Sequence, residues 1–260
     1  MIEVYYKKSF FKCPTEWNEL TRKQVLQVMK ILYGQTSEIN GILMLFRCIA
    51  SIPWWQFYTM RTGGLLNAAL EATEFLVKEN NLTKNLIPKY RGFYGPADQL
   101  GNLRMGEFCF AEFFYLKYRN SKEYADLDDL VSVLYRPGKR FYNHRINEAG
   151  DHRKPFNPNV QQHLKKSVKR WPLEVKHAIL HFYEASRDEK IRNNDKVFSK
   201  GGGESLYGMW STMRGVAKTG HFGDFDKVQE QYVDTILMEL NETVAEAEEM
   251  EREQNKVKVK

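Results

Sequence analysis

Residues 123–137 read EYADLDDLVSVLYRP. Acids occupy the first turn, where the helix dipole favours them. A tidy amphipathic run follows, and Arg136-Pro137-Gly138 stops it, because proline cannot continue a helix. The pattern on either side is of the same kind. Upstream, MGEFCFAEFFYLKY (105–118) predicts a helix rich in aromatics. Downstream, NPNVQQHLKKSVKRW (157–171) and PLEVKHAILHFYEASRDEKI (172–191) predict two more, with Pro172 near the first turn of the second. ESLYGMWSTMRGVAKTG (204–220) predicts a helix closed by Gly220. The run from Asp224 to Glu253 predicts a last helix, whose stripe of Val228, Tyr232, Ile236, Leu237 and Leu240 fades after Leu240.

The N-terminal part carries the same period. After a short extended start, Thr21 predicts an N-cap for a helix with Val25, Leu26, Val28, Met29 and Leu32 on one face, ended by Gly34. A helix from Glu38 to Ser51 is apolar nearly all round and is expected to be central. Pro53 restarts a short one, and a third long helix runs to Lys78. Residues 81–103 hold two prolines and three glycines without helical period, which predicts a long ordered loop pinned by Tyr90, Phe93 and Tyr94. RNNDKVFSKGGGES (192–205) predicts a flexible linker.

No internal repeat and no alternation of strand and helix is visible. The expected fold class is therefore mostly α: a single multi-helix globular domain of about eight to ten helices, with a long ordered loop near 80–102 and a projecting C-terminal helix. The expected organisation is an N-terminal helical part over 1–80, a main helical body over 81–241 with a basic insertion at 136–158, and a polar helical arm with a disordered tail over 242–260.

Composition narrows the class. The chain has 260 residues, 42% of them hydrophobic and 13% aromatic, enough for a real core. A mean hydropathy of −0.57 argues against a membrane protein. The longest apolar run, INGILMLFRCIASIPWW, is interrupted by Arg47 and Pro53 and falls short of the ~20 residues of a bilayer span. No signal peptide is read at the N-terminus. Cys13, Cys48 and Cys109 form no CxxC and no metal spacing, which fits free thiols in a reducing cytoplasm.

The net charge of +6 is unevenly placed. Between Arg136 and Arg170 ten Lys or Arg face two acids, a local +8, so the remainder carries −2. Arg136, Lys139, Arg140, Arg145, Arg153 and Lys154 interleave with Tyr135, Phe141, Tyr142 and Phe156. Cations with stacking rings suit single-stranded nucleic acid or phosphate backbones. The plainer reading is a solvated or partner-facing loop at a helix end.

Glu174, His177, His181 and Glu184 lie at spacings of 3, 4 and 3 and share one helical face. Glu-x-x-His is a di-iron bundle spacing, but a site would need a second such motif from another helix. Otherwise the four form a polar face beside Val175, Ala178, Ile179, Phe182 and Tyr183. No Gly-x-Ser-x-Gly and no phosphate loop is present. No catalytic residue and no cofactor is assigned.

Four segments carry a resemblance. FYGPADQLGNLRMGEFCFAEFFYLKY (93–118) leads through LVSVLYRP (130–137) to RKPFN (153–157), and LYGMWSTMRGVAKTGHFGDFDKVQEQYVDTILMELN follows at 206–241. The succession resembles small helical proteins encoded in the tail-morphogenesis modules of phages and prophages of Bacteroidetes-type hosts, near the tape-measure protein. Such proteins are regarded as tail-assembly-chaperone-like or as minor tail proteins. The resemblance spans roughly residues 90 to 240 and carries over no enzymatic residue.

It implies a non-enzymatic tail-morphogenesis protein that binds a tape-measure or other tail protein, in the bacterial host cytoplasm during infection or in the virion. A structural minor virion protein and a nucleic-acid binder using 136–170 are the alternatives. Oligomeric state is left open and no membrane partner is expected. The partner-binding residues expected are Arg136, Lys139, Arg140 and Arg145 with Trp54, Trp55, Phe113, Phe114 and Trp210; Phe57 and Phe108 are further groove candidates. The resemblance also gives Arg136 a structural role: Leu130, Val131 and Leu134 would seat the helix, Pro137 would end it, and Arg136 would bond helix-end carbonyls or an acid such as Asp98 or Glu107.

Overall fold

A computed structural model describes residues 2–6, 9–34, 37–60, 64–141, 151–199 and 208–258. The chain is mostly α. Thirteen α-helices are formed among the described residues, nine of them of ten residues or more. The chain folds as two compact units: Met1–Pro88 with Arg170–Ser186, and Lys89–Lys169 with Arg187–Lys260.

The first unit opens with an antiparallel hairpin, β1 (Ile2–Tyr6) and β2 (Ser9–Cys13), in which Ile2 pairs with Cys13. Helix α1 (Arg22–Leu32) begins as Thr21 predicts. The Thr21 hydroxyl accepts from the Gln24 amide and the Gln24 side chain accepts in return from the Thr21 N–H, a capping box. Then come α2 (Glu38–Ile49), α3 (Trp54–Thr59), α4 (Gly64–Thr73) and α5 (Phe75–Lys78). The long helix predicted to reach Lys78 is interrupted at Glu74 in its hydrogen bonding, although Glu74 keeps helical dihedrals.

Trp17, Val28, Met29, Phe46, Ile49 and Ala69 are buried here together with Val175, Ile179 and Phe182 of α9 (Leu173–Asn193). Full burial of each large apolar side chain is worth about 1.5–3 kcal/mol. Helix α2 is not wholly central as expected: Leu45, Phe46 and Ile49 face inward, while Ile39 and Met44 are exposed.

In the second unit, α6 (Met105–Ser121) packs on α7 (Tyr124–Leu134), and α7 on α8 (Pro158–Val168). Leu130, Val131 and Leu134 are completely buried. The loop leading into α6 is ordered and contains β3 (Lys89–Tyr90) and β4 (Phe93–Tyr94). Arg136 and Pro137, after the end of α7, form β5 on β4, with Tyr94 opposite Arg136. A Cβ on Gly138 would stand 2.7 Å from the Tyr94 ring, so the close approach of ring to backbone needs glycine there.

The rest of the unit is the end of α9, α10 (Asp195–Ser199), α11 (Gly208–Thr219), α12 (Phe225–Glu230) and α13 (Val233–Lys258). Three sequence expectations change. Residues 192–199 of the expected linker are largely helical; 200–207 lie outside the described residues. The last helix is broken at Gln231, whose carbonyl accepts from the Met105 N–H at 2.8 Å, while the Val233 N–H donates to the Leu103 carbonyl at 3.0 Å. Pairing with 103–105 there replaces helical bonds. Finally, the expected disordered tail is helical through Lys258, since no Gly or Pro stops propagation through good helix formers.

Candidate binding surfaces

Two arginines of the basic segment turn inward. Arg136 is 2% exposed and Arg153 1%. Arg136 Nη2 meets Glu107 Oε1 at 2.6 Å, its Nη1 donates to the Val133 carbonyl at 2.9 Å, and its Nε donates to the Lys154 carbonyl at 2.8 Å. Both partner types anticipated for Arg136, a helix-end carbonyl and Glu107, are used. Arg153 was not anticipated there. Its Nε and Nη2 donate to the two Asp151 oxygens at 2.9 and 3.0 Å, its Nη1 to the Leu134 carbonyl at 3.2 Å and its Nη2 to the Asn102 carbonyl at 3.1 Å. Glu107 Oε2 lies 3.4 Å from Arg153 Nη2, so one buried carboxylate serves two guanidinium groups.

The last carbonyls of α7 are thus capped by two arginines, where cations suit the helix dipole. Burial depresses the Arg136 guanidinium against the pull of Glu107. At Arg153 burial acts the same way, but Glu107 and then Asp151 outweigh it and hold the group above its ordinary value. Burial alone would raise Asp151; the hydrogen bonds and charge of Arg153 reverse this and lower it. A polar cavity of about 750 Å³ lies beside the cluster, bordered by Arg104, Glu107, Lys139, Phe156, Glu230 and Tyr232.

Lys139 donates to the Asp151 carbonyl at 2.9 Å, and Lys165 reaches Asp129 at 2.6 Å. The tract is therefore mixed, since Lys154, Lys166, Lys169 and Arg170 are exposed. Arg140 is exposed, its guanidinium 5.6 Å from the ring of Phe141, which is itself 85% exposed. Arg145 lies outside the described residues.

The aromatic candidates separate. Phe108 is core. Phe113 and Phe114 are half-buried on α6, edge to face at 5.2 Å. Trp210 is half-buried, edge to face with Phe110 at 5.0 Å. In the first unit Trp54 and Trp55 stay exposed, by 46% and 73%. Trp54 stacks on Tyr58 with ring centroids 5.7 Å apart, and the Arg47 guanidinium lies 3.8 Å from the Trp54 ring. Of the five aromatic partner-binding candidates, Trp54 alone borders the apolar groove of about 550 Å³ that Leu43, Met44, Phe57, Tyr58, Leu65 and Leu66 share with it. Sequence reasoning missed the α2 and α4 members of this groove, because an all-round apolar helix does not reveal which side stays uncovered.

The four residues read as a metal candidate are parted by their surroundings. His177 is buried and stacks on Tyr33 with centroids 3.6 Å apart and planes at 7°. His181 Nε2 lies 3.0 Å from the Tyr33 hydroxyl, and its ring centroid 5.2 Å from that of Trp17. Burial pushes both histidines down to about 4, with Lys176 adding to the effect at His177 and His177 adding to it at His181. Glu174 and Glu184 are half-buried. Among the described residues no three His, Cys, Asp or Glu side chains converge as metal ligands.

The three cysteines are free and buried; burial pushes Cys13 and Cys48 up to about 11 and Cys109 higher still. Among the described residues no helix is long and apolar enough to cross a membrane. Compared with known protein families, curated proteins and solved structures, the chain matches none of them.

Proposed function

We propose that the protein is a non-enzymatic, chaperone-like binder of a phage tail protein, such as a tape-measure protein, acting in the bacterial host cytoplasm during infection. The observation that carries this reading is the groove of α2, α3 and α4. There Trp54, Tyr58 and Met44 stay exposed around an apolar floor. Contiguous exposed apolar surface marks interaction sites, and a groove walled by helices suits the apolar face of another helix. The tail setting comes from the resemblance over residues 90 to 240. The chemistry follows simply: an aggregation-prone helical segment is covered until assembly withdraws it.

Co-expression with the tail client tests the reading. The wild-type chain should raise the soluble fraction of the client and co-purify with it. Trp54→Ala with Tyr58→Ala should lose both effects while keeping its own helical circular dichroism. No complex and no gain in client solubility would overturn the proposal.

A further inference from the structure

A second groove of the first unit, about 730 Å³, lies along α1, α2 and α4. Ile42, Leu70 and Val77 contribute apolar surface to it, and Leu70 and Val77 are 46% and 75% exposed. Glu38 on α2, Glu71 on α4 and Glu74 at the α4–α5 junction also border it. Among the described residues that border it, none is basic. Glu71 and Glu74 stand three residues apart, neighbours along one helical face. Glu74 pairs with Lys78 at 2.7 Å, but both side chains are more than half exposed. Such a pair is worth little and exchanges readily for another cation.

This local charge opposes that of the whole molecule, which is +6. Bulk attraction would favour acidic partners; the groove favours the reverse. We propose that this groove takes a partner's amphipathic helix whose apolar face is flanked by lysine or arginine, with those cations paired to Glu38, Glu71 and Glu74. The proposal rests on reading the first unit as a helix-binding surface and names the chemistry of what it binds. The apolar face supplies affinity, while the acidic residues set register and exclude acidic helices.

Three fluorescent peptides of about 18 residues, roughly 27 Å as helices, test it against the full chain by anisotropy. All carry the same leucine and alanine face; the polar face is lysine, glutamine or glutamate. The lysine peptide should bind about tenfold tighter than the glutamine peptide at low salt, and the glutamate peptide weakest. About 1 M salt, where the Debye length is about 3 Å, should equalise lysine and glutamine. So should the combined Glu38→Gln, Glu71→Gln and Glu74→Gln variant, without changing affinity for the glutamine peptide. Leu70→Asp, at an exposed position, should weaken the glutamine peptide and so locate it in the groove.

Equal binding of the lysine and glutamine peptides by the parent chain would overturn the charge selection and leave the helix-binding reading standing. A lysine preference that survives the triple variant, or tightest binding of the glutamate peptide, would also overturn it. Failure of every peptide to bind would remove the helix-binding reading as well.

Discussion

The two units place charge and apolar surface in opposite ways. In the second, Glu107, Arg136 and Arg153 are almost completely buried. In the first, Trp54, Trp55, Tyr58 and Val77 are left to solvent. Interior charges survive because each has partners of good geometry; without them a buried ion costs several kcal/mol. Solvent-facing rings need no partner to be tolerated, and they add little to the unit's own stability beyond local contacts such as Trp54 on Tyr58. Charge is thus used for architecture in one unit, while apolar surface is available for recognition in the other.

The strongest way to break this contrast is Glu107→Ala. It leaves two buried guanidinium groups without their shared acid and should cost about 3–5 kcal/mol in denaturant unfolding. A loss below about 1 kcal/mol would mean that the cluster is hydrated and the contrast false.

The histidine pair gives the next largest effect. With folded values near 4 against an ordinary 6.5, the unfolded chain binds more protons across that window. Stability should therefore be complete above about pH 6.5 and fall as pH drops toward 4. The loss by pH 5 should be about 2 kcal/mol per histidine. Thermal unfolding from pH 7.5 to 5 measures it, and replacing both histidines by glutamine should flatten the upper part of the profile.

Trp54→Ala sharpens the other side of the comparison. Stability should change by less than about 1 kcal/mol, while affinity for the tail client should fall about tenfold; the glutamine-faced peptide, seated in the other groove, should bind unchanged. The smallest effect is expected at Arg140. Arg140→Ala should shift stability by less than about 0.5 kcal/mol, although Arg136, four residues earlier, is indispensable to the buried cluster. Equal losses at the two positions would contradict the inward and outward assignment.

The sequence conveyed local features and missed those that depend on distant partners. Thr21 with Gln24, and Pro137 after Leu134, speak for themselves within a few residues. For Arg136 the resemblance implied helix-end carbonyls or an acid such as Asp98 or Glu107, and the fold uses the Val133 carbonyl and Glu107. Arg153 could not be placed, since its partners at Asn102 and Leu134 come from two other segments. The break at Gln231 was equally hidden: its stripe continues a helix, and the pairing with 103–105 overrides it. At His177 and His181 the spacing was legible, but the rings of Tyr33 and Trp17 that define their environment lie more than 140 residues earlier. The grooves had no signal, because apolar periodicity reports that a face is hydrophobic and not whether anything covers it.

The bridge between Gly138 and Arg153 has a consequence for engineering. The Lys139 N–H donates to the His152 carbonyl at 2.8 Å and the Lys154 N–H to the Pro137 carbonyl at 2.9 Å, so the chain is fastened on both sides of the stretch between them. Its ends are already together, and doubling the length of that stretch should add only about 0.6 kcal/mol of closure entropy. A reporter peptide or a small fluorescent domain spliced into this stretch should leave the fold of the second unit intact, giving a labelled chain for the binding experiments.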